Sequence, residues 1–213
     1  PATLGGTARA FWRFWSPRLL AVWVVASLGV RAALGAPAPA DAFVALAVLV
    51  WWPLNEWLIH VLILHYRPRT AFGRTLDFRV PWLHRAHHRD PWRLDLVLIP
   101  LRVYLLTPLV VGLAAALGGV ASAPLWTGLF VYFLLSLHYE WVHFLVHTRY
   151  RPRSACYRRL WRNHRLHHFK NEHYWFGVTM LSGDRLLGTA PDWREAPTSP
   201  TARTLASQPG AEF

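Results

Sequence analysis

The sequence predicts an all-α membrane protein with four transmembrane helices and its histidine-rich segments gathered on the cytoplasmic side. Three observations carry that expectation. Apolar residues make up 54% of the 213-residue chain, and the mean hydropathy is positive at +0.19. Four apolar runs approach or reach the length of a membrane crossing. The basic residues, nearly all arginine, are blocked beside those runs, as the positive-inside bias requires. The formal charge of +12 is thereby accounted for by topology and by anionic headgroups. No nucleic-acid motif accompanies the arginines, so no nucleic-acid partner is expected.

Residues 1–194 read as a single integral membrane domain. Phe11-Trp12-Arg13-Phe14-Trp15 mixes aromatic and basic side chains as a membrane surface favours, and leads the chain in from the cytoplasm. The first span covers Arg18–Gly35, with Arg31 near its far end placed to snorkel outward. Its apolar run lacks a small-residue cleavage site, so it reads as a retained span and not as a signal peptide. Ala36–Ala40 breaks the helix, and Asp41 is a suitable N-cap for the next.

The second span, Ala42–Leu64, carries Pro53, Asn55, Glu56 and His60 in its second half. Ionisable groups at that depth are costly, so this half should face protein. Tyr66–Arg93 is polar and holds seven arginines. Leu101–Val120 is the third span and Pro124–Val146 the fourth, joined by an uncharged Gly118–Pro124 turn that belongs outside. Thr148–Arg194 is basic again. Glu195–Phe213, rich in Pro, Ser, Thr and Ala without apolar periodicity, is expected to be a disordered tail.

Within this frame the chain nearly repeats itself. Glu56-Trp57, His60, His65, Tyr66-Arg67-Pro68-Arg69 and His84, His87, His88 are answered by Glu140-Trp141, His143, His147, Tyr150-Arg151-Pro152-Arg153 and His164, His167, His168. Ten of the twelve histidines are used, leaving His138 and His173 outside. His143 and His147 lie about 40° apart around a helix axis, and each H-x-x-H-H keeps its three rings on one face. His60 and His65 would diverge by about 140°, so one of them must lie past the helix end or in a distorted turn. The single cysteine, Cys156, excludes an intramolecular disulfide and a thiolate cage.

Two sets of five imidazoles that end on one side of the membrane predict a two-metal centre. A structural zinc site uses four ligands, so ten leave room for two ions and exchangeable positions. Imidazole accepts iron, zinc, copper or nickel. Two irons fit a reaction that activates O2 against an unreactive C–H bond, and zinc could replace them in purified protein. Glu56 and Glu140, four and three residues before a histidine, are candidates to accept the second ring N–H of a ligand. Asn171, His173 and Asp184 are further candidates, with Asp77, Asp90 and Glu172 weaker ones. Trp51, Trp57, Phe133 and Trp141 are candidate walls for an apolar substrate tail.

The four clusters, with Asn171-x4-Phe176-Gly177-Val178-Thr179 and Asp184-Arg185-Leu186-Leu187-Gly188-Thr189 after them, resemble the fatty acid hydroxylase/sterol desaturase superfamily of integral membrane di-iron oxygenases over Trp51–Asp192. The resemblance implies four transmembrane helices beneath a cytoplasmic, histidine-rich helical cap. It implies two metal ions on His60, His65, His84, His87, His88, His143, His147, His164, His167 and His168, with O2 and two electrons consumed. Hydroxylation of a lipid, most simply a fatty acyl chain, is the implied activity; a sterol or lipid desaturase and a carotenoid hydroxylase are the alternatives within the superfamily. The H-x3-H of the third cluster departs from the H-x4-H of carotenoid hydroxylases. Fused cytochrome b5 domains are common among fatty acid 2-hydroxylases and none is read here, so the expected donor is a separate ferredoxin, cytochrome or reductase. The expected location is a bacterial inner membrane, with N-terminus and site cytoplasmic. Outside this class, a membrane metal carrier without oxygenase activity is the rival.

Overall fold

A computed structural model describes residues 1–119, 122–203 and 205. Among the described residues the chain is helical in its regular structure, apart from one hairpin. In order it forms α1 (Leu4–Phe11), α2 (Trp15–Ala33), α3 (Pro39–Leu58) continuing into a π-helical turn (Ile59–Leu64), β1 (Arg69–Ala71), β2 (Arg74–Leu76), α4 (Arg79–Arg89), α5 (Leu101–Leu117), α6 (Ser122–Val146), α7 (Ala155–Phe169) and α8 (Ser182–Leu186). Among the described residues three helical stretches are long and apolar enough to cross a membrane: Trp15–Ala33, Pro39–Leu64 and Ala123–Val146. Leu101–Leu117, the expected third span, is shorter. Its expected end at Val120 and part of the Gly118–Pro124 turn lie outside the described residues.

The chain divides into two compact units. The apolar one comprises Ala8–Trp52 and Ile99–Trp141. Its core is Leu20, Tyr104, Leu129 and Phe133, with Trp23 stacked on Phe133 at 5.7 Å between ring centroids. Phe133 is therefore core and not a channel wall, and Trp141 meets Phe11 edge-on. The outer faces of α2, α3 and α5 expose Val25, Phe43, Val50, Leu109 and Leu113, as helices solvated by lipid do.

Arg31 does not reach outward as expected. Its guanidinium forms a bidentate pair with Asp41, at 2.6 and 2.5 Å, and Thr127 adds a hydroxyl to the same carboxylate. A partner across the 34–38 connection, in the first turn of α3, satisfies the charge better than an apolar exit would. Asp41 also accepts the Ala38 N–H at 2.8 Å from within the first turn of α3.

The polar unit comprises Pro1–Thr7, Pro53–Leu98 and Val142–Phe213, and contains every clustered histidine. The Phe72-Gly73 tip closes the hairpin, with both residues at positive φ as a two-residue turn needs. Arg85, buried on α4, donates to the Tyr66 carbonyl at 2.8 Å and to Asp77 at 2.5 Å, so it pins the two ends of the hairpin segment and Asp77 is paired with it. Ser154 caps α7 through the Tyr157 N–H. Residues 195–203 depart from the disorder expected of them, because backbone hydrogen bonds, invisible to hydropathy, tie them to α7 and the turn after it. Residues 204 and 206–213 of that expected tail lie outside the described residues.

Candidate metal centre

The ten histidines converge in two groups. His60, His65, His84, His88 and His167 form one; His87, His143, His147, His164 and His168 form the other. Within each group every ring offers a nitrogen, and these lie within 4.8 Å of one another. The groups do not follow the two halves of the sequence. The middle ring of each H-x-x-H-H crosses over, so His167 joins the first-half residues and His87 joins the second-half ones. His88 and His168 stack at 4.0 Å between centroids where the groups meet.

Local structure explains the remaining placements. His143, in the last turn of α6, and His147, the first residue past its end, bring their rings to 5.0 Å. His60 and His65 are five apart, and the expected distorted turn is the π-helical one: the His65 N–H bonds the His60 carbonyl at 3.0 Å, and the ring centroids come to 4.9 Å. The i, i+4 pairs His84–His88 and His164–His168 point ring nitrogens at each other, with Nε2 separations of 3.2 and 3.0 Å.

Those separations fit a metal. Two nitrogens bound to one ion at about 2.1 Å stand about 3.0–3.4 Å apart at octahedral or tetrahedral angles. The donors are also in the right state. Burial, and after it the neighbouring rings, pushes His65, His84, His87, His164 and His168 well below the ordinary imidazole range, and burial takes His88 down to about 3. Neutral imidazole is the form that donates a lone pair. The Nε2 atoms of His60, His65, His167, His87 and His147 are buried with no hydrogen-bond partner, which packing alone does not explain.

At three of the rings a backbone carbonyl, and not a predicted carboxylate, meets the other nitrogen. The Nδ1 of His60 bonds Phe176 O at 2.7 Å, that of His167 bonds Tyr174 O at 2.8 Å, and that of His88 bonds Ala202 O at 3.0 Å. Such bonds fix the tautomer and turn Nε2 inward. Glu56 and Asp184 act one layer further out, on the loop that supplies these carbonyls. Glu56 accepts the Val178, Thr179 and Met180 N–H groups and the Thr179 hydroxyl. Asp184 accepts the Phe176 and Gly177 N–H groups at 2.9 and 2.7 Å. A Cβ on Gly177 would stand 2.6 Å from Met180 O, so only glycine permits this loop. Trp175, at φ 58°, is held by Thr189 O and by Asn163. Trp57 donates to Thr189 Oγ1 and packs edge-on to Phe176.

The remaining candidates separate. Asn171 shapes the turn after α7, accepting the His173 N–H and donating to Pro197 O. His173 is half exposed beside buried Glu172. In the apolar unit, Glu140 accepts the Ile99 N–H at 3.0 Å and the Tyr104 hydroxyl at 2.7 Å. Asn163 was missed by sequence reasoning; its position between His164 and the Gly177 carbonyl it holds gives no spacing signal.

Comparison with known proteins agrees with this geometry. A family model described as fatty acid hydroxylase matches residues 45–189. The dihydroceramide fatty acyl 2-hydroxylases FAH2 and FAH1 of Arabidopsis thaliana are similar, FAH2 at 26% identity over 87% of this chain and 79% of its own length, FAH1 at 24% over 84% and 77%. A solved structure of full-length Scs7p, with only its hydroxylase domain visible, matches with a TM-score of 0.66 and 25% identity over 85% of this chain and 68% of that one.

Proposed function

Because the chain belongs to the fatty acid hydroxylase family, we propose that it is a membrane di-iron oxygenase that hydroxylates a lipid, most simply a fatty acyl chain. The observation that carries this reading is the pair of five-imidazole groups with buried, unpartnered nitrogens. One iron would sit on His60, His65, His84, His88 and His167, the other on His87, His143, His147, His164 and His168. Bound there, the two ions supply the oxygen chemistry: O2, two electrons and two protons convert a C–H bond to C–OH and release water.

The chain's own residues prepare that chemistry. Burial keeps the rings neutral, the carbonyls of Phe176, Tyr174 and Ala202 orient three of them, and Glu56 and Asp184 hold the loop from Phe176 to Met180. The three long apolar helices and the shorter α5 make four crossings in this reading, and the positive-inside bias of the basic 66–93 and 149–170 segments supports a cytoplasmic centre. The acyl tail comes from the bilayer. Electrons come from a separate donor of ferredoxin, cytochrome or reductase type; the face of α7 carrying exposed Arg158, Arg159 and Arg162 suits an acidic one.

The test is mass spectrometry of host lipids with and without the chain, in air and without O2. Oxygen-dependent gain of one oxygen atom in acyl chains is expected, first at C2, where the names of FAH1 and FAH2 place their reaction. Loss of two hydrogens in place of that gain would assign desaturation. Metal passing into vesicles with unchanged lipids would assign a carrier.

A further inference from the structure

Beyond residue 189, where the family match ends, a segment outside every histidine motif reaches the centre. Ala196–Arg203 runs back over the turn that follows α7. Four hydrogen bonds fasten it: Ser199 N–H to Lys170 O at 2.8 Å, Asn171 Nδ2 to Pro197 O at 3.1 Å, Thr201 Oγ1 to the fully buried Glu172 at 2.5 Å, and His88 Nδ1 to Ala202 O at 3.0 Å. Ala202 and Ala196 are 3% and 6% exposed, so a stretch with the composition of a tail is buried at both ends.

We propose that Ala196–Arg203 is a strap belonging to the metal centre, its Ala202 carbonyl positioning His88 so that Nε2 faces the His60, His65, His84 and His167 group. His88 has two ring nitrogens, and an acceptor on one of them fixes the tautomer and holds the other inward. Among the described residues the acceptor is this carbonyl, which comes from 114 residues further along the chain. Lys170, Asn171 and Glu172 follow His167-His168 after the single residue Phe169, so the end of α7 and the strap are held together. Glu172 is a positioning residue in this arrangement: its carboxylate fixes Thr201, and Thr201 fixes the peptide that carries the acceptor.

The inference rests on the metal reading above, and the experiment separates the two. Purified full-length protein, a chain ending at Leu205, a chain ending at Glu195 and full-length Thr201→Val are each titrated with Zn2+ against a competing chelator. The full-length and Leu205 chains are expected to hold two zinc ions tightly. The Glu195 chain is expected to hold one tightly and the other about 10- to 100-fold more weakly, the usual cost of removing a partner behind a ligand. A synthetic peptide of residues 196–205 should restore the weakened site, and Thr201→Val should weaken the same ion by a smaller factor. If the Glu195 chain does not fold, Thr201→Val decides, and unchanged zinc affinity there overturns the strap. Two equally tight ions in the Glu195 chain also overturn it while leaving the metal reading intact. A full-length chain that takes up no zinc or iron overturns both.

Discussion

The two histidine-bearing halves of the chain reach one result by different local means. From Glu140 to His168, an α-helix with H-x3-H passes through Tyr150-Arg151-Pro152-Arg153 straight into capped α7. From Glu56 to His88, an H-x4-H spacing is taken up by a π-helical turn, and the hairpin 69–76 stands between Tyr66-Arg67-Pro68-Arg69 and α4. The rings of the leading pair end 5.0 Å apart in one half and 4.9 Å apart in the other. What the chemistry requires is the placement of imidazoles, and the backbone accommodates one additional residue to deliver it. The carboxylates differ more: Glu56 holds the loop beside His60, whereas Glu140 ties Ile99 and Tyr104.

The largest effect should come from the crossed rings. His87→Ala and His167→Ala are each expected to remove one ion and lower product formation by more than about 100-fold, since direct ligands matter more than the groups behind them. Metal analysis of double variants then tests the crossing. His87→Ala with His143→Ala should still hold one ion, and His87→Ala with His60→Ala should hold none; the reverse pattern would mean that each half keeps its own ion.

The carboxylates come next. Glu56→Gln presents an amide to a nest of three N–H donors and should weaken zinc by about 10- to 100-fold in a chelator titration, whereas Glu140→Gln should leave both ions in place. Equal metal loss in the two variants would erase the distinction drawn between them.

Deleting Leu62, which is exposed in the π-helical turn, makes the first spacing H-x3-H like the third. Both ions should be retained with affinity within about tenfold of the parent, because an α-helix aligns residues four apart. Loss of the first ion would show that the π turn sets more than ring alignment. The smallest effect is expected from Tyr104→Phe, which removes one hydrogen bond to Glu140 and should cost about 1–2 kcal/mol of stability, read as a lower Tm with metal content unchanged.

The ten histidines that converge, the four apolar runs and the need for a distorted turn between His60 and His65 were all legible, because each depends on spacing along one element. The exchange of His87 and His167 was not. On a helix, residues three and four apart share a face, and only the packing of α4 and α7 decides which ring crosses. The carboxylates misled for a related reason: proximity in sequence placed Glu56 and Glu140 beside histidines, but their partners are amides and a tyrosine far along the chain. The segment after Glu195 has no apolar pattern to read, and its order comes from backbone bonds that composition does not record.

The exchange of His87 and His167 also bears on biosynthesis. A nascent polypeptide that has emerged only as far as α6 lacks the last ring of its first quintet and most of its second, so neither quintet is complete. Neither group can offer a metal ion its full set of imidazoles until α7 has been made, so assembly of both sites waits on the last long helix.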